Sequence, residues 1–401
     1  MIYTAEEIFD FIEQEDVKFI RLAFCDPKGR QKNISIMPSE LKRAFEDGIS
    51  FDASAIRGFG GVERSDLLLF PIPSTLNVLS WRPSHGKVVR MFCDIRYPDG
   101  TPFEADSRYI LSKAVEAARA KGVTVRFGSE FEFYLFKTDE NGYPTSIPFD
   151  RGGYMDVAPE DKGENIRREI CLTLIDMGIR PESSHHEEGP GQNEIDFRFS
   201  DAMSAADNAV NFVTVVKAAA MHNGLYADFS PKPLPGESGN GMHVNISISC
   251  RDGVDRSPEF MAGIIAHIRE LTAFLNNRPE SYLRLGEMKA PRYVTWSPEN
   301  RSQLIRIPAA KGEYRRIELR SPDPCANPYI AYAMLIYAGL DGIDKHMKCP
   351  DPVNINLYTA DEALTSMLEK LPESLEEADE LAKRSEFVRS VLPEKIIESL
   401  N

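Results

Sequence analysis

Four short segments of this 401-residue chain carry carboxylate, imidazole and guanidinium groups at spacings that suit chemistry on cations and phosphate. The segments are "FGSEFEFYLF", "NEIDFRF", "GMHVNISI" and "RRIELR". Alternate side chains of a β-strand share one face, so each segment has an apolar face and a reactive face. The reactive faces contain Glu130, Glu132, Glu194, Asp196, Arg198, His243, Asn245, Ser247, Arg316, Glu318 and Arg320.

A single strand of this kind is explained most simply by a polar face toward solvent, as in half of any antiparallel sheet. Four such strands favour a site, because Glu, His and Arg bind cations and phosphate, whereas solvent faces favour Lys, Thr and Ser. If the strands share one curved sheet, its concave side collects Glu130, Glu132, Glu194 and Glu318. Cations would relieve their repulsion, and carboxylates with one His and no Cys suit Mg²⁺ or Mn²⁺ better than Zn²⁺.

The segment "ESSHHEEGPGQNEIDFRF", residues 182–199, adds a second source of carboxylates. Glu187 and Glu194 flank a Pro-Gly turn, so a loop and a strand can offer carboxylates to one ion. His185 and His186 are ambiguous, since a tandem pair beside acids is as often a hydrogen-bonding scaffold as a metal ligand.

Arginines are concentrated after this region. They include Arg301, Arg306, Arg316 and Arg320, all within residues 301–320. Their permanently charged forks suit phosphate and carboxylate. The glycines of "PKPLPGESGNGMH" could bring backbone close to a ligand, although the segment lacks the GxxxxGK[ST] pattern. Metal ions and arginines around a small cavity together indicate phosphoryl transfer.

The amino-acid composition limits the classes of molecule that the protein is expected to bind. A net charge of -15 and a pI near 5.1 argue against nucleic acid or an anionic membrane, and favour small molecules or cations. The six cysteines form no CxxC pair and are expected to be reduced. The first residues carry charge where a signal peptide needs an apolar core, and the longest apolar run is too short for a bilayer. We therefore expect a cytoplasmic protein.

Sequence patterns also predict the helices, strands and domains that carry these groups. Thr4 and Glu7 predict a capping box before a short helix, and "VKFIRLAFCDPKGRQKNISI" predicts a hairpin. A small β-rich domain is expected to begin the chain. An amphipathic helix, "YILSKAVEAARAKG", follows a boundary near residue 100, and one larger α+β unit comes after it. The C-terminal segment predicts two charged amphipathic helices.

At these residues the chain resembles the type I glutamine synthetase family. The similar segments occur in the family's order and include "FDASAIRGFGGVERSDLLLFP", "ESSHHEEGPGQNEIDFRF", "FSPKPLPGESGNGMHVN" and "APRYVTWSPENRSQLIRIP". The resemblance implies an α+β fold with a β-grasp domain over residues 1–100 and a catalytic domain with a curved antiparallel sheet over residues 101–401. In that family ATP phosphorylates the γ-carboxylate of glutamate, and ammonia displaces the phosphate to give glutamine.

The resemblance also implies roles for individual residues. Ligands of one divalent ion would be Glu132, Glu187 and Glu194. Ligands of a second ion would be Glu130, His243 and Glu318. Nucleotide-binding residues would be Phe199, Asn245, Ser247, Arg306 and Arg316. Residues that bind glutamate, the amine or the transferring phosphate would be Tyr154, Gly239, Arg284, Arg301 and Arg320. The catalytic residues would be Asp52 and Arg301.

Asp52 carries an implication for assembly. It matches an aspartate that takes a proton from ammonium and that, in the family, reaches the active site of a neighbouring subunit. Without the resemblance, a turn aspartate after a strand explains it equally well. We expect a homo-oligomer built from hexameric rings. Family members usually continue beyond the helix matching "PEKIIESL" with a segment that ties two rings together, so stacking into a dodecamer stays open.

Departures from the family pattern concern the nucleophile. A family flap reads like "RLVPGYEAP", whose Glu helps hold ammonium, whereas "RLGEMKAP" here has Lys289 in its place. A lysine there would repel ammonium by about 1 kcal/mol at 4 Å in water and about 4 kcal/mol at an effective dielectric of 20. Glu287 could compensate. Ala55 and Ser238 also replace a family serine and asparagine.

Two alternatives to glutamine formation follow from these departures. Relatives that make γ-glutamyl amides from larger amines also lose the flap glutamate, so a γ-glutamyl amine ligase is the first alternative. The second is a non-catalytic member that kept the fold for a structural role. Complete metal-ligand and arginine sets argue against the second, because mutually repelling ligands without a function only cost stability.

Overall fold

The computed structural model describes residues 4–81, 86–287 and 289–400, and within those ranges every side chain except that of Glu313. The chain forms two compact units, one of Met1–Ser112 with Leu392–Asn401 and one of Lys113–Val391. The helices and strands of the first part are α1 (Ala5–Gln14), β1 (Val17–Cys25), β2 (Gln31–Ile36), α2 (Leu41–Glu46), β3 (Ile49–Asp52), β4 (Asp66–Pro71), β5 (Asn77–Val78), β6 (Lys87–Arg96) and α3 (Ser107–Ala120).

The elements that follow α3 begin with the longest strand of the chain. They are β7 (Val123–Thr138), β8 (Pro144–Pro148), α4 (Glu164–Asp176), β9 (Pro181–His186), β10 (Gln192–Phe197), β11 (Ser200–Asp201), α5 (Ala202–His222), β12 (Leu225–Asp228), β13 (Met242–Cys250), α6 (Ser257–Leu275), α7 (Pro279–Arg284), β14 (Trp296–Pro298), β15 (Ile305–Ile307), β16 (Ile317–Leu319), α8 (Pro328–Asp344), α9 (Glu362–Thr365), α10 (Leu375–Arg384), α11 (Glu386–Val391) and α12 (Glu394–Glu398).

The first unit is built on a sheet with strand order β2-β1-β6-β4-β3, to which β5 adds on β6. The predicted capping box is confirmed: Glu7 N donates to Thr4 Oγ1 at 3.2 Å, and Thr4 N donates to the Glu7 carboxylate at 2.7 Å. The predicted hairpin is also confirmed, because β1 and β2 pair antiparallel with Cys25 opposite Gln31. Gly29 closes its turn at φ +77°, a conformation that favours glycine.

The second unit contains a sheet with strand order β14-β15-β16-β13-β7-β10-β9, and β8, β11 and β12 also pair with β7. The four segments with reactive faces are its adjacent strands β16, β13, β7 and β10. These four strands pair antiparallel with one another. At the edge of the sheet, β14 and β15 pair parallel. The prediction of one shared sheet is therefore confirmed.

The apolar faces of these strands form the core with the helices. Phe131 and Phe133 of β7 are buried, and their ring centroids lie 4.9 and 6.2 Å from that of Phe212 on α5. The two buried helices α6 and α8 pack closely against each other through glycine. In residues 4–81, 86–287 and 289–400, no helix combines the length and the apolar character that crossing a membrane requires.

The prediction of two C-terminal helices is wrong, because the segment forms three. Ser385, after α10, adopts an extended backbone (φ -70°, ψ 121°). Pro393 is also extended (φ -62°, ψ 144°) and separates α11 from α12. Proline lacks an amide hydrogen and pushes the preceding residue away from helical geometry, so the helical pattern is interrupted there.

The contact between α6 and α8 generates a prediction. A Cβ added to Gly263 would overlap the carbonyl oxygen of Ala338 and lie 2.8 Å from the amide nitrogen of Gly342. We expect Gly263→Ala to lower the free energy of unfolding by about 1–3 kcal/mol, as overpacking does. Helix propensity alone would raise it by about 1 kcal/mol. Denaturant unfolding decides the sign, and equal or greater stability of the variant would contradict the close approach.

Candidate active site

Strand register brings the carboxylates together. On β7, Glu130 lies opposite His243 of β13, and Glu132 lies opposite Glu194 of β10. On the far side of β13, Asn245 lies opposite Glu318 of β16. Residues directly opposite each other on paired strands have their side chains within contact distance. The period-2 pattern and the antiparallel register together therefore create one acidic face.

One candidate ion site consists of Glu130, His243 and Glu318. Their ligand atoms lie within 4.8 Å of one another, and the His243 Nδ1 atom is 3.3 Å from Glu130 and 3.7 Å from Glu318. This set of two carboxylates and one imidazole suits a divalent ion. It is the set that the resemblance implies for the second ion.

A second candidate site consists of His185, Glu187 and Glu194, whose ligand atoms also lie within 4.8 Å of one another. The His185 Nε2 atom is 3.1 Å from the Glu187 carboxylate and 4.0 Å from that of Glu194. Glu132, which the resemblance groups with Glu187 and Glu194, accepts hydrogen bonds from Gly241 N at 2.8 Å and from the Gln192 amide at 3.1 Å. The structure thus places His185, and not Glu132, within 4.8 Å of the ligand atoms of both Glu187 and Glu194.

The protonation behaviour of these carboxylates fits a cation site. Burial and repulsion from Asp196, Glu132 and further carboxylates raise the pKa of Glu194 well above its ordinary value of 4.5. Burial also raises the pKa of Glu132. Burial opposes ionisation of Glu130 as well, but the charge and hydrogen bond of His243 and the hydrogen bond from Asn245 lower the pKa of Glu130 to about 2. Positive charge placed among these groups would relieve the repulsion.

Glu318 is the most buried of these carboxylates and is held by two arginines. Arg306 Nε donates to its Oε2 atom at 2.6 Å, and Arg320 Nη1 donates to its Oε1 atom at 2.7 Å. Arg306 was assigned to the nucleotide by resemblance, yet the structure pairs it with a predicted metal ligand. A buried carboxylate needs such partners, because an uncompensated buried charge is very costly.

A cavity of about 210 Å³ opens above the carboxylates. It is lined by Glu130, Glu132, Tyr154, Glu187, Glu188, Gln192, Glu194, Ser238, Gly239, His243, Arg284, Lys289, Ala290, Arg301 and Arg320. Five of the six predicted metal ligands and all five predicted substrate-binding residues belong to this lining. The sixth, Glu318, lies 3.7 Å from His243 beneath it.

A smaller cavity of about 70 Å³ lies beside the first one. Four predicted nucleotide-binding residues line it: Phe199, Asn245, Ser247 and Arg316. Arg316 Nε donates to Asn245 Oδ1 at 2.7 Å, and the Asn245 amide donates to Glu130 at 2.7 Å. Glu130 lines both cavities, so the two adjoin at this carboxylate.

The predicted substrate-binding residues are fixed in different ways. Arg284 is buried and donates to the carbonyl oxygens of Ser321 at 2.8 Å and Arg320 at 3.2 Å. A Cβ added to Gly239 would overlap the carbonyl oxygen of Pro231 and lie 2.9 Å from Arg284 Cγ, so only glycine fits there. Arg301 is exposed where it borders the cavity.

Asp52 lies in the first compact unit, at the end of β3. Its Oδ1 atom accepts hydrogen bonds from Ser54 N at 2.9 Å and from the Ser54 hydroxyl at 2.6 Å. It thereby caps the short 3₁₀ turn Ala53–Ala55. This geometry is that of a turn aspartate after a strand. The Asp52 side chain is also exposed, as a proton acceptor for ammonium would have to be.

His186 is a functional residue to which the sequence pattern assigns no definite role. The side chain is fully buried, its Nδ1 donates to the Glu187 carbonyl at 2.6 Å, and its Nε2 meets Asp150 at 2.8 Å. Burial opposes protonation, but the bonds to Asp150 and Glu187 raise the pKa of His186. Asp150 also accepts from Gly191 N at 2.9 Å, so this pair fixes both ends of the loop that carries Glu187.

Lys289 borders the acidic cavity, where its ammonium group forms an ion pair with Glu188. Glu287, the residue expected to compensate, is exposed. Although burial opposes it, the hydrogen bond with His185 and, more weakly, the charge of Lys289 lower the pKa of Glu187. Nothing in the spacing of Glu188 distinguishes it from Glu187, so the sequence offers no signal for this pair.

Comparison with known proteins agrees with this architecture. Residues 16–98 match the family described as "Glutamine synthetase, beta-Grasp domain", and residues 104–400 match "Glutamine synthetase, catalytic domain". The chain is 44% identical to a glutamine synthetase of Methanosarcina mazei (98% of this chain, 91% of the relative). It is 43% identical to one of Clostridium saccharobutylicum (98% and 92%).

Solved structures show the same fold. One described as "GmaS/ADP complex-Conformation 1" has a TM-score of 0.89 at 28% identity and covers 100% of this chain and 94% of that one. A Plasmodium falciparum glutamine synthetase has a TM-score of 0.86 at 24% identity, with coverage of 99% and 94%. The β-grasp domain and the α+β catalytic domain define an enzyme of the ligase class. The chain belongs to the glutamine synthetase family.

The His186–Asp150 pair generates a prediction about metal binding. Replacing His186 with Asn should release the loop that carries Glu187 and weaken Mn²⁺ binding by about 10- to 100-fold, as loss of a supporting hydrogen bond does at metal sites. Mn²⁺ titration followed by electron paramagnetic resonance measures the affinity, and circular dichroism checks the fold. The exposed His222 provides the control His222→Asn, which should bind normally. Unchanged affinity in folded His186→Asn would contradict this role.

The crowded carboxylates generate a prediction about pH. Because folding raises the pKa of Glu194, its ionisation favours the unfolded state, and ion-free protein loses stability as pH rises above 4.5. At pH 8 in EDTA, Glu194→Gln should therefore melt at a higher temperature than the parent. Added Mn²⁺ should stabilise the parent more than the variant, because ligands must be ionised to bind.

Thermal unfolding at pH 5 and pH 8, with EDTA or Mn²⁺, measures both effects. Glu140→Gln, at an exposed hairpin position, should match the parent in every condition. A lower melting temperature for Glu194→Gln at pH 8 in EDTA would contradict the repulsion argument.

Proposed function

We propose that this chain is an ATP-dependent ligase that forms glutamine from glutamate and ammonia through γ-glutamyl phosphate. The observation that carries the proposal is the pair of cavities that share Glu130, the smaller with Phe199, Tyr314 and Arg316 in its lining and the larger lined by carboxylates and arginines. The names of the relatives at 42–44% identity support the same activity.

The residues fit two divalent ions, Mg²⁺ or Mn²⁺. The resemblance assigns Glu132, Glu187 and Glu194 to one ion, and the structure brings His185, Glu187 and Glu194 together there. Glu130, His243 and Glu318 would hold the other ion. When bound, the ions would supply positive charge that neutralises the phosphate groups. Carboxylate oxygens are the ligands that hard cations prefer, and the repulsion among these groups gives the protein a reason to bind them.

The chain's own residues supply binding and orientation. We assign the adenosine end of ATP to the smaller cavity, beside Phe199 and Ser247, so that its γ-phosphate would reach past Glu130 toward the acidic cavity. Arg301 and Arg320 border the acidic cavity and suit the phosphate and a carboxylate of glutamate. A γ-carboxylate oxygen of glutamate attacks the γ-phosphorus and ADP leaves.

Ammonia completes the reaction. Its nitrogen attacks the acyl carbon of γ-glutamyl phosphate, and inorganic phosphate carries away the oxygen that the carboxylate supplied. Ammonium must first lose a proton to become the nucleophile ammonia. Asp52 is proposed as the acceptor of this proton, supplied by a neighbouring subunit of a homo-oligomer. We also propose a division into a β-grasp domain over residues 1–100 and a catalytic domain over residues 101–401, which the matches to 16–98 and 104–400 support.

A second candidate function is a γ-glutamyl amine ligase that uses a larger amine. The observation that favours it is Lys289 at the position of the family's flap glutamate. The ion pair of Lys289 with Glu188 weakens this argument, because the lysine does not present an uncompensated charge to ammonium.

The activity is tested by ADP release with Mg²⁺, ATP and glutamate, adding ammonium or each member of an amine panel, with mass determination of the product. We expect ammonium to give glutamine and EDTA to abolish turnover. The turnover of Glu130→Gln should fall by at least 10- to 100-fold, as is typical of weakened metal sites. The turnover of Glu140→Gln, at an exposed position, should not fall. Turnover with a larger amine alone would establish the second candidate, and no turnover with any amine would refute both.

A further inference from the structure

Lys289 is attached to the acidic cavity by both its side chain and its backbone. Its ammonium group pairs with Glu188, and the two side chains are 51% and 32% exposed. Its carbonyl oxygen accepts a hydrogen bond from Arg320 Nη2 at 3.5 Å. Its φ angle of +68° lies in the left-handed region, which a lysine adopts rarely. The surroundings therefore determine where this residue lies.

The ammonium group of Lys289 also lies over an aromatic face. It is 5.3 Å from the centroid of the Tyr154 ring, within the range of a cation–π interaction. Tyr154 lines the same cavity and packs edge-on against His185 at 5.4 Å. An aromatic face beside carboxylates is the environment that binds alkylated ammonium ions. In this chain, Lys289 occupies that face.

The arrangement affects small and large amines differently. Ammonium needs negative charge and little space, and the cavity offers Glu187 among other carboxylates that are not paired with Lys289. An alkylated amine also needs room and an apolar contact, which Tyr154 would provide if Lys289 were elsewhere. Glu188 offsets the positive charge of Lys289, so the lysine fills space without strongly repelling ammonium.

We propose that Lys289, held over Tyr154 by Glu188, is a specificity-determining residue that excludes alkylated amines and leaves ammonia as the nucleophile. This inference rests on the proposed function, whose nucleophile it specifies. The ion pair is partly exposed, and such pairs are weak enough to break and re-form in each turnover.

The test compares kcat/KM for ammonium and methylammonium in the full chain, with Mg²⁺, ATP and glutamate. Lys289→Ala removes the side chain from the face of Tyr154, and Glu188→Gln removes the charge that holds the lysine there. In each variant the methylammonium-to-ammonium ratio should rise about five-fold, the size of one cation–π contact or ion pair at an exposed site.

Two controls separate this role from a general effect of charge. Lys289→Arg keeps a cation over Tyr154 and should retain the parent's ratio. Lys345→Met removes another exposed lysine, which pairs with Asp341 at 2.9 Å on α8, and should leave the ratio unchanged.

An unchanged ratio in Lys289→Ala and Glu188→Gln would overturn the inference, as would a parent that prefers methylammonium. If the parent forms no amide with either amine, the proposed function fails separately. Hydrogen exchange at Ala290, whose amide donates to the Glu287 carbonyl at 2.8 Å, then tests whether Glu188 holds Lys289. Faster exchange in Glu188→Gln supports that contact, and unchanged exchange overturns it.

Discussion

Strand pairing places Glu130, Glu132 and Glu194 on one face of a sheet, and their mutual repulsion is the constraint to which the rest of the site responds. The apolar residues that alternate with them must face the core, so the strands cannot rotate to separate the charges. Local partners compensate in part: Asn245 and His243 contact Glu130. We expect the remaining negative charge to attract cations, and through them phosphate.

The way in which charged groups of the acidic cavity are paired depends on how deeply they are buried. At the bottom, Glu318 is fully buried and paired with two arginines, where an unpaired charge would be prohibitive. Around the middle, the buried Asp150–His186 pair fixes the loop that carries Glu187. At the rim, the ion pair of Lys289 is half-exposed and weak. Buried, paired contacts thus lie beneath and around the carboxylates, while a half-exposed ion pair lies at the rim of the cavity.

Much of this organisation could be predicted from the sequence. The two-residue period identified the four strands and their reactive faces, and the family resemblance supplied residue roles. Pairs distant in the chain could not be predicted, because no local pattern links Lys289 to Glu188, 101 residues away. Asp150 gives no signal beside His186 for the same reason. The helical periodicity of the sequence also continues through Ser385. The break that its extended backbone makes in the C-terminal segment could therefore not be predicted.

The central claim is that glutamate is activated by phosphorylation of its γ-carboxylate in the carboxylate-lined cavity. Glutamate labelled with ¹⁸O in that carboxylate tests it directly, by mass analysis of the phosphate released with Mg²⁺, ATP and ammonium. The account predicts one ¹⁸O in the inorganic phosphate for each amide formed, because the attacking oxygen leaves with phosphorus. Amide formation with unlabelled phosphate would contradict it.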